Sequence, residues 1–510
     1  MRTSSYFRDM ANLLSLISVL ACMLLIVLGF NRGFDISDEG LYVLLTVPSQ
    51  ANESGIINYD LFFKLFFQLT GYSFSIVELR LMRLASYFLA AWALTQFLKN
   101  QIQGSYSKPQ VFLLSVLGLF SGYAFLPPTL SYNSLTVVLG SFWMYSAFSS
   151  FTILRKTLLL GLILGVLMYV KFTVALILFP VSALLLLDQR RRNLASVLLL
   201  IVPFLLMEIL FWMFLGEFAF ERLLRAIPLH SARPDYDLTN ILKSPSLGLG
   251  LLAIGMIPAA LLAKVRNQPP AIFYAVLVFG LATIIWLTLF THITDEWNHV
   301  VMISTACLLA YSVTESWSYR SISRQDVLLF VFPFILHFGS NVYWLRIGIH
   351  YWVFWLILIF IRTDLFSKRA IYLVPFLTVL LVFNGIWWHP FGQDQALWSP
   401  KRSLNLSNQA PLLLDPDLVE LVSEIRNFAI EKNITEVSTA YRIPGLAYLS
   451  GLSVPHTPMV WDRYQLENQP PPPPQVLICQ PLQPLPDGWQ FSHSKKLGTV
   501  QENPIFLLWN

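Results

Sequence analysis

Charged residues are scarce in this 510-residue sequence: Asp, Glu, Lys and Arg make up 12% of it, against 55% hydrophobic residues. A typical soluble domain carries about twice that charge fraction, so a single water-soluble globule is excluded. Cysteine is scarcer still. Three cysteines are too few for a disulfide framework. Cys22 and Cys307 lie in apolar runs and Cys479 stands alone near the C-terminus, so all three read as ordinary buried thiols. No basic patch interleaved with aromatics occurs, and the net charge of +5 is spread along the chain, which speaks against a nucleic-acid partner. There is no inverted internal repeat of the kind that marks many transporters. The first apolar block follows Arg2 and Arg8 but no small-residue cleavage site follows it, so it reads as a retained helix rather than a signal peptide.

What the chain does have is apolar blocks of about twenty residues, the length that crosses a hydrocarbon layer. Lipid offers the backbone no hydrogen bonds, so such blocks must be helices. The fold class expected is an all-α polytopic membrane protein of about thirteen spans, followed by a small α/β unit. The spans fall near 11–31, 75–98, 110–126, 134–152, 157–171, 173–187, 194–216, 246–263, 271–290, 299–314, 326–343, 347–361 and 370–388. The pair 157–187, with Lys171 at its turn, reads as either one re-entrant hairpin or two short helices. With the N-terminus in the cytoplasm, every inside loop receives at least two basic residues, from Lys99 and Lys108 to Arg362, Lys368 and Arg369. That topology divides the chain into a transmembrane part, 1–388, with outer loops 32–74, 217–245 and 291–298, and an exterior domain, 389–510.

The tail differs sharply in composition. Asp415-Pro416 reads as an N-cap and first helical turn, followed by Leu418, Leu421, Val422, Ile425 and Phe428 at helical spacing. Runs at Val437–Ala440, Gln475–Cys479 and Pro504–Leu508 read as strands, and Pro470 to Pro474 as a stiff connector.

The residues whose chemistry needs explaining gather on the outer side. Asp35, Asp38 and Glu39 sit just past the first span, and acidic groups at membrane depth are costly and usually functional. Next comes an aromatic stretch, Tyr59 to Phe67, expected to lie in the interface plane. Leu79-Arg80-Leu81-Met82-Arg83 then opens the second span, and Lys171-Phe172-Thr173 lies at an outer turn.

This order of features resembles the GT-C membrane glycosyltransferases, in particular bacterial relatives of protein O-mannosyltransferases and lipid A aminoarabinose transferases. The tail segment Glu424 to Gly451, with its Ala447-Tyr448-Leu449-Ser450-Gly451, is similar to the exterior domain of such enzymes. The resemblance implies an inverting hexosyl- or pentosyltransferase that takes a sugar from a polyprenyl-phosphate donor to an acceptor hydroxyl outside the membrane. The acceptor would be a lipid, a glycan or a protein. Asp38 would be the general base and Glu39 would position it, with Asp35 the rival aspartate. The donor phosphate would be met by cations drawn from Lys171, Arg222, Arg225 and Arg346, and substrate contacts would come from Tyr42, Arg80, His292 and His299. The resemblance fixes no cofactor; it admits a divalent metal ion, with Glu296 and His299 as candidate ligands. The setting implied is the cell envelope, with the chain in a bacterial inner membrane and its tail in the periplasm.

Other readings stay open from the residues alone. A transporter or flippase of lipid-linked glycans would place charge near the bilayer midplane, where Glu208 is the clearest case. An O-antigen polymerase or ligase would use an arginine-bearing outer loop, which 217–245 provides. A non-catalytic relative would bind lipid-linked glycan without turning it over.

Overall fold

The computed structural model describes residues 2–101, 108–187, 194–231, 237–291, 297–317, 320–362, 373–406, 409–469 and 475–510. The chain is mostly helical, with a small mixed sheet near its C-terminus. Among the described residues, seven helices are long and apolar enough to cross a membrane: Met10–Leu28, Ile76–Lys99, Ile153–Leu187, Ala195–Leu215, Thr239–Lys264, Pro270–Phe290 and Trp344–Arg362. A shorter apolar helix, Leu373–Trp388, follows. Pro270–Phe290 buries only 6% of its apolar window against the protein and exposes Ile272, Phe279, Ile285, Trp286 and Leu289. A continuous apolar face of that kind belongs in contact with lipid.

The other expected spans correspond to helices that are shorter or more polar: Lys108–Phe120, Tyr132–Ala147, Asn298–Ser316 and Arg324–His337. Much of their surface packs against other helices, where strict hydropathy is not required, although Leu308, Val327 and Val331 remain exposed. Thr305, for example, returns its hydroxyl to the Val301 carbonyl of its own helix at 2.7 Å. Two of these helices begin with reciprocal caps, Ser131 with Ser134 and Ser323 with Asp326. The 157–187 pair forms two helical segments that meet at Lys171, whose extended backbone (φ −156°, ψ 83°) breaks the run. At the centre, Trp344, Trp352 and Trp355 are fully buried.

The C-terminal region has a two-stranded ribbon, β1 (Arg402–Leu404) with β2 (Leu412–Leu414). It also has a four-stranded sheet formed by β3 (Ser438–Ala440), β4 (Val476–Cys479), β5 (His493–Val500) and β6 (Asn503–Trp509), in the order β3-β4-β6-β5. β3 and β4 are parallel and the other pairs antiparallel. The helix Pro416–Lys432 buries Leu421, Val422, Ile425 and Ala429. Asp415 stands at its N-cap position, but the carboxylate takes Lys401 (2.5 Å) instead of the helix amides. The expected connector at Pro470 to Pro474 lies outside the described residues.

This region is docked on the first loop. Gly33 N–H donates to the Leu413 carbonyl (2.9 Å), Leu413 N–H to that of Asn31 (2.8 Å), and Glu53 N–H to that of His456 (2.8 Å). The Gln50 side chain closes a pair with Val454, donating to its carbonyl at 2.6 Å and accepting from its N–H at 3.1 Å. Two glycines, Gly40 and Gly445, pack against each other here: a Cβ on Gly40 would lie 2.4 Å from Gly445 Cα. Gly445 N–H donates to the Ile36 carbonyl at 2.8 Å, and a Cβ on Gly445 would lie 2.7 Å from Ile36 Cα. Gly445→Ala is therefore expected to cost about 1–3 kcal/mol by overpacking and to loosen the tail from the acidic loop. Faster proteolytic release of the tail is the measurement.

Candidate active site

The acidic segment opens the short helix Asp38–Leu44. Its three carboxylates have different surroundings. Asp35 is buried, and its Oδ1 and Oδ2 accept from the N–H groups of Ser37 (3.1 Å) and Glu39 (3.0 Å). Asp35 thus satisfies the orphan amides of the first turn. Glu39 is 0% exposed and pairs with Arg80, which donates Nε to Oε1 (2.9 Å) and Nη2 to Oε2 (2.8 Å). Asp38 makes no hydrogen bond or ion pair with the protein. It stands half-buried on the wall of a cavity of about 320 Å³.

Burial pushes the Asp38 carboxyl up to about 6, against the pull of the Arg442 charge. The Asp35 carboxyl is held well above the usual carboxylate range, first by burial and then by the Asp38 charge. Burial likewise keeps the Tyr42 phenol neutral. A free carboxylate with a pKa near neutrality, facing a cavity, suits a general base.

The same cavity is lined by three cations, Lys171, Arg346 and Arg442, and by Tyr42, Tyr132 and Trp461. The break in the 153–187 helix is what carries Lys171 there. The ammonium donates to the Leu336 and His337 carbonyls (2.7 and 3.1 Å) at the end of Arg324–His337 and lies 5.6 Å from the Tyr132 ring. Those bonds occupy two of its three donors. Arg346 comes from the turn Trp344–Ile347 and packs its guanidinium over Phe125 at 4.9 Å. Tyr42 meets Tyr132 edge to face at 5.9 Å.

Of the residues that the sequence nominates, Asp38, Tyr42, Lys171 and Arg346 meet around one cavity. Others are placed elsewhere. Arg80 is no substrate contact: besides Glu39 it bonds to the carbonyls of Gly29, Phe30, Arg32 and Gly33, which leaves no donor free. Glu39 does not line this cavity, and its carboxylate is taken up by Arg80. Arg222 is consumed by Asp60 (2.8 Å) and Glu217, which hold the guanidinium above its usual range despite burial. Arg225 is exposed and pairs with Glu221 one helical turn away. Arg225→Ala is expected to leave stability within about 0.5 kcal/mol and to leave activity unchanged, as thermal unfolding and turnover would report.

His299 is fully buried against Tyr343 (ring centroids 5.6 Å apart) and does not line this cavity. His292 and Glu296 lie outside the described residues. Among the described residues no group of three or more His, Cys, Asp or Glu side chains could hold a metal ion, so the metal expected from Glu296 and His299 gains no ligand set.

Arg442, Met459 and Trp461 come from the tail and were not legible in the sequence. Nothing in Tyr441-Arg442-Ile443-Pro444 marks a residue that faces a cavity 400 positions upstream. The pairing of glycines 40 and 445, which brings the two segments together, is a tertiary contact. Arg442 also lines a second cavity, of about 580 Å³, which shares Ser37 with the first.

No family model matches the sequence, and no curated protein matches it. Among solved structures, ArnT from Cupriavidus metallidurans, in a crystal structure bound to undecaprenyl phosphate, is similar over 96% of this chain and 97% of its own. The identity is 12% and the TM-score 0.41. No residue of this chain takes a role from that likeness.

Proposed function

We propose that this chain is an inverting glycosyltransferase that moves a sugar from a polyprenyl-phosphate donor to an acceptor hydroxyl at the non-cytoplasmic face of a membrane. The observation that carries this reading is a carboxylate without protein partners, Asp38, sharing one cavity with Lys171, Arg346 and Arg442. Base and cations are the two things that the transfer needs.

In this reading the donor phosphate lies against the cations and the sugar against Tyr42, Tyr132 and Trp461. Asp38 takes the proton of the acceptor hydroxyl as the oxygen bonds to the anomeric carbon. The bond from that carbon to the phosphate oxygen breaks, and its electron pair leaves with the polyprenyl phosphate. The leaving group carries added negative charge, which Lys171 and the arginines stabilise. The attack comes from the face opposite the phosphate, so the configuration inverts and no covalent enzyme intermediate is needed. The proton on Asp38 then passes to solvent.

The transporter reading draws no support from Glu208. Its carboxylate is closed off by the Tyr169 hydroxyl (2.5 Å) and the Phe220 N–H (3.1 Å). The test is release of undecaprenyl phosphate from labelled undecaprenyl-phosphate sugars by the purified protein. Release supports the enzyme. Movement of the lipid across vesicles without release from any donor sugar would replace this reading with transport.

A further inference from the structure

Arg442 lies between β3 and the helix Pro444–Ser450 of the tail. Its neighbours Tyr441 and Ile443 are buried, at 0% and 1% exposure, while its own side chain is exposed. Its backbone sits at φ +62°, a conformation that residues with a Cβ seldom adopt. Donation from its N–H to the Val460 carbonyl (3.1 Å) helps hold it there. The guanidinium makes no hydrogen bond or ion pair with the protein, whereas Lys171 spends two donors on carbonyls. It lines both the 320 Å³ and the 580 Å³ cavity, which share Ser37, Phe125, Arg346, Phe391 and Arg442. Its charge acts on Asp38. The segment that carries it is held to the acidic loop by the bond from Gly445 to Ile36.

We propose that Arg442 is a ligand for the phosphate monoester of the polyprenyl carrier, supplied to the membrane cavity by the docked C-terminal region. The inference rests on the proposed function and deepens it. An arginine held by its backbone, with its fork unpaired, can meet a phosphate with two parallel hydrogen bonds. The cavity is therefore complete only while the tail is seated on residues 31–53. The tail contributes chemistry as well as cover.

The test is equilibrium binding of undecaprenyl phosphate to the full chain in detergent, with undecaprenol as the comparison that lacks the phosphate. Arg442→Ala is expected to bind undecaprenyl phosphate about 10- to 100-fold more weakly, the loss expected for hydrogen bonds to a charged group. Undecaprenol binding should stay unchanged, and Arg442→Lys should recover part of the loss. Arg442→Gly guards against a folding defect, because glycine tolerates the positive φ. It should match the alanine variant in binding while unfolding no earlier than the parent. Parent-like affinity in both the alanine and glycine variants would overturn the role of Arg442 and leave the glycosyltransferase reading intact. A parent that binds undecaprenyl phosphate no better than undecaprenol would overturn both.

Discussion

Asp38→Asn is expected to lower sugar transfer by about 10²–10⁴-fold, the usual contribution of a positioned general base, with donor binding little changed. The substitution keeps the shape of the side chain and removes its ability to take a proton. In the parent the rate should rise with pH through about 6, because only the deprotonated carboxylate can act as base. That inflection should vanish in Asp38→Asn. Two causes set it: burial, which raises the pKa, and the Arg442 charge, which lowers it from across the cavity. The stability effect has the opposite sign. A carboxyl whose folded pKa is raised stabilises the fold below its unfolded value, roughly 3.9, and loses that contribution as pH rises through about 6. Asp38→Asn should therefore unfold at a higher temperature than the parent at pH 8. Asp35→Asn should behave differently, because Asp35 is bonded to the amides of the turn. Full turnover by Asp38→Asn would remove the base from the mechanism.

Arg80→Ala is expected to destabilise the protein by about 3–5 kcal/mol, the cost of stranding one partner of a buried ion pair. Glu39→Gln should fall toward the same range. Both side chains are 0% exposed, and Arg80 also gathers the carbonyls of Gly29, Phe30, Arg32 and Gly33. Arg80 is therefore what turns the end of the first helix into the acidic segment. Losing it should reduce the yield of folded protein and the unfolding temperature in detergent, and activity would fall as a consequence. If Arg80→Ala folds normally but loses only substrate affinity, the assignment of Arg80 as structural is wrong.

The membrane character was legible because lipid imposes its length and composition on every helix that it touches, as in 270–290. The spans expected at 134–152 and 326–343 are shorter and more polar, Tyr132–Ala147 and Arg324–His337, because much of their surface packs on protein, although Val327 and Val331 stay exposed. β3, β4 and β6 could be read from their apolar runs. β5 could not, since His493, Ser494, Lys495 and Lys496 form an exposed edge with no alternating pattern. At the site, Asp38 and Lys171 stand out in sequence because charge beside a span needs a reason. The same reasoning overvalued Arg80, Arg222 and Arg225, whose partners Glu39, Asp60 and Glu221 satisfy them locally or in the core. Composition distinguishes a cation in a bilayer protein from a neutral residue. It does not say whether that cation already has a carboxylate.

The hydrogen bonds between Gln50 and Val454 join positions 404 apart in the chain. Ribosomal synthesis delivers Asp38 early and Arg442, Met459 and Trp461, which wall its cavity, late. A chain stalled before the tail would insert its helices and expose a carboxylate with no chamber around it. Under the proposed function, sugar transfer would then begin only once translation and folding of the whole polypeptide had finished, and incomplete products would leave donor lipid unspent.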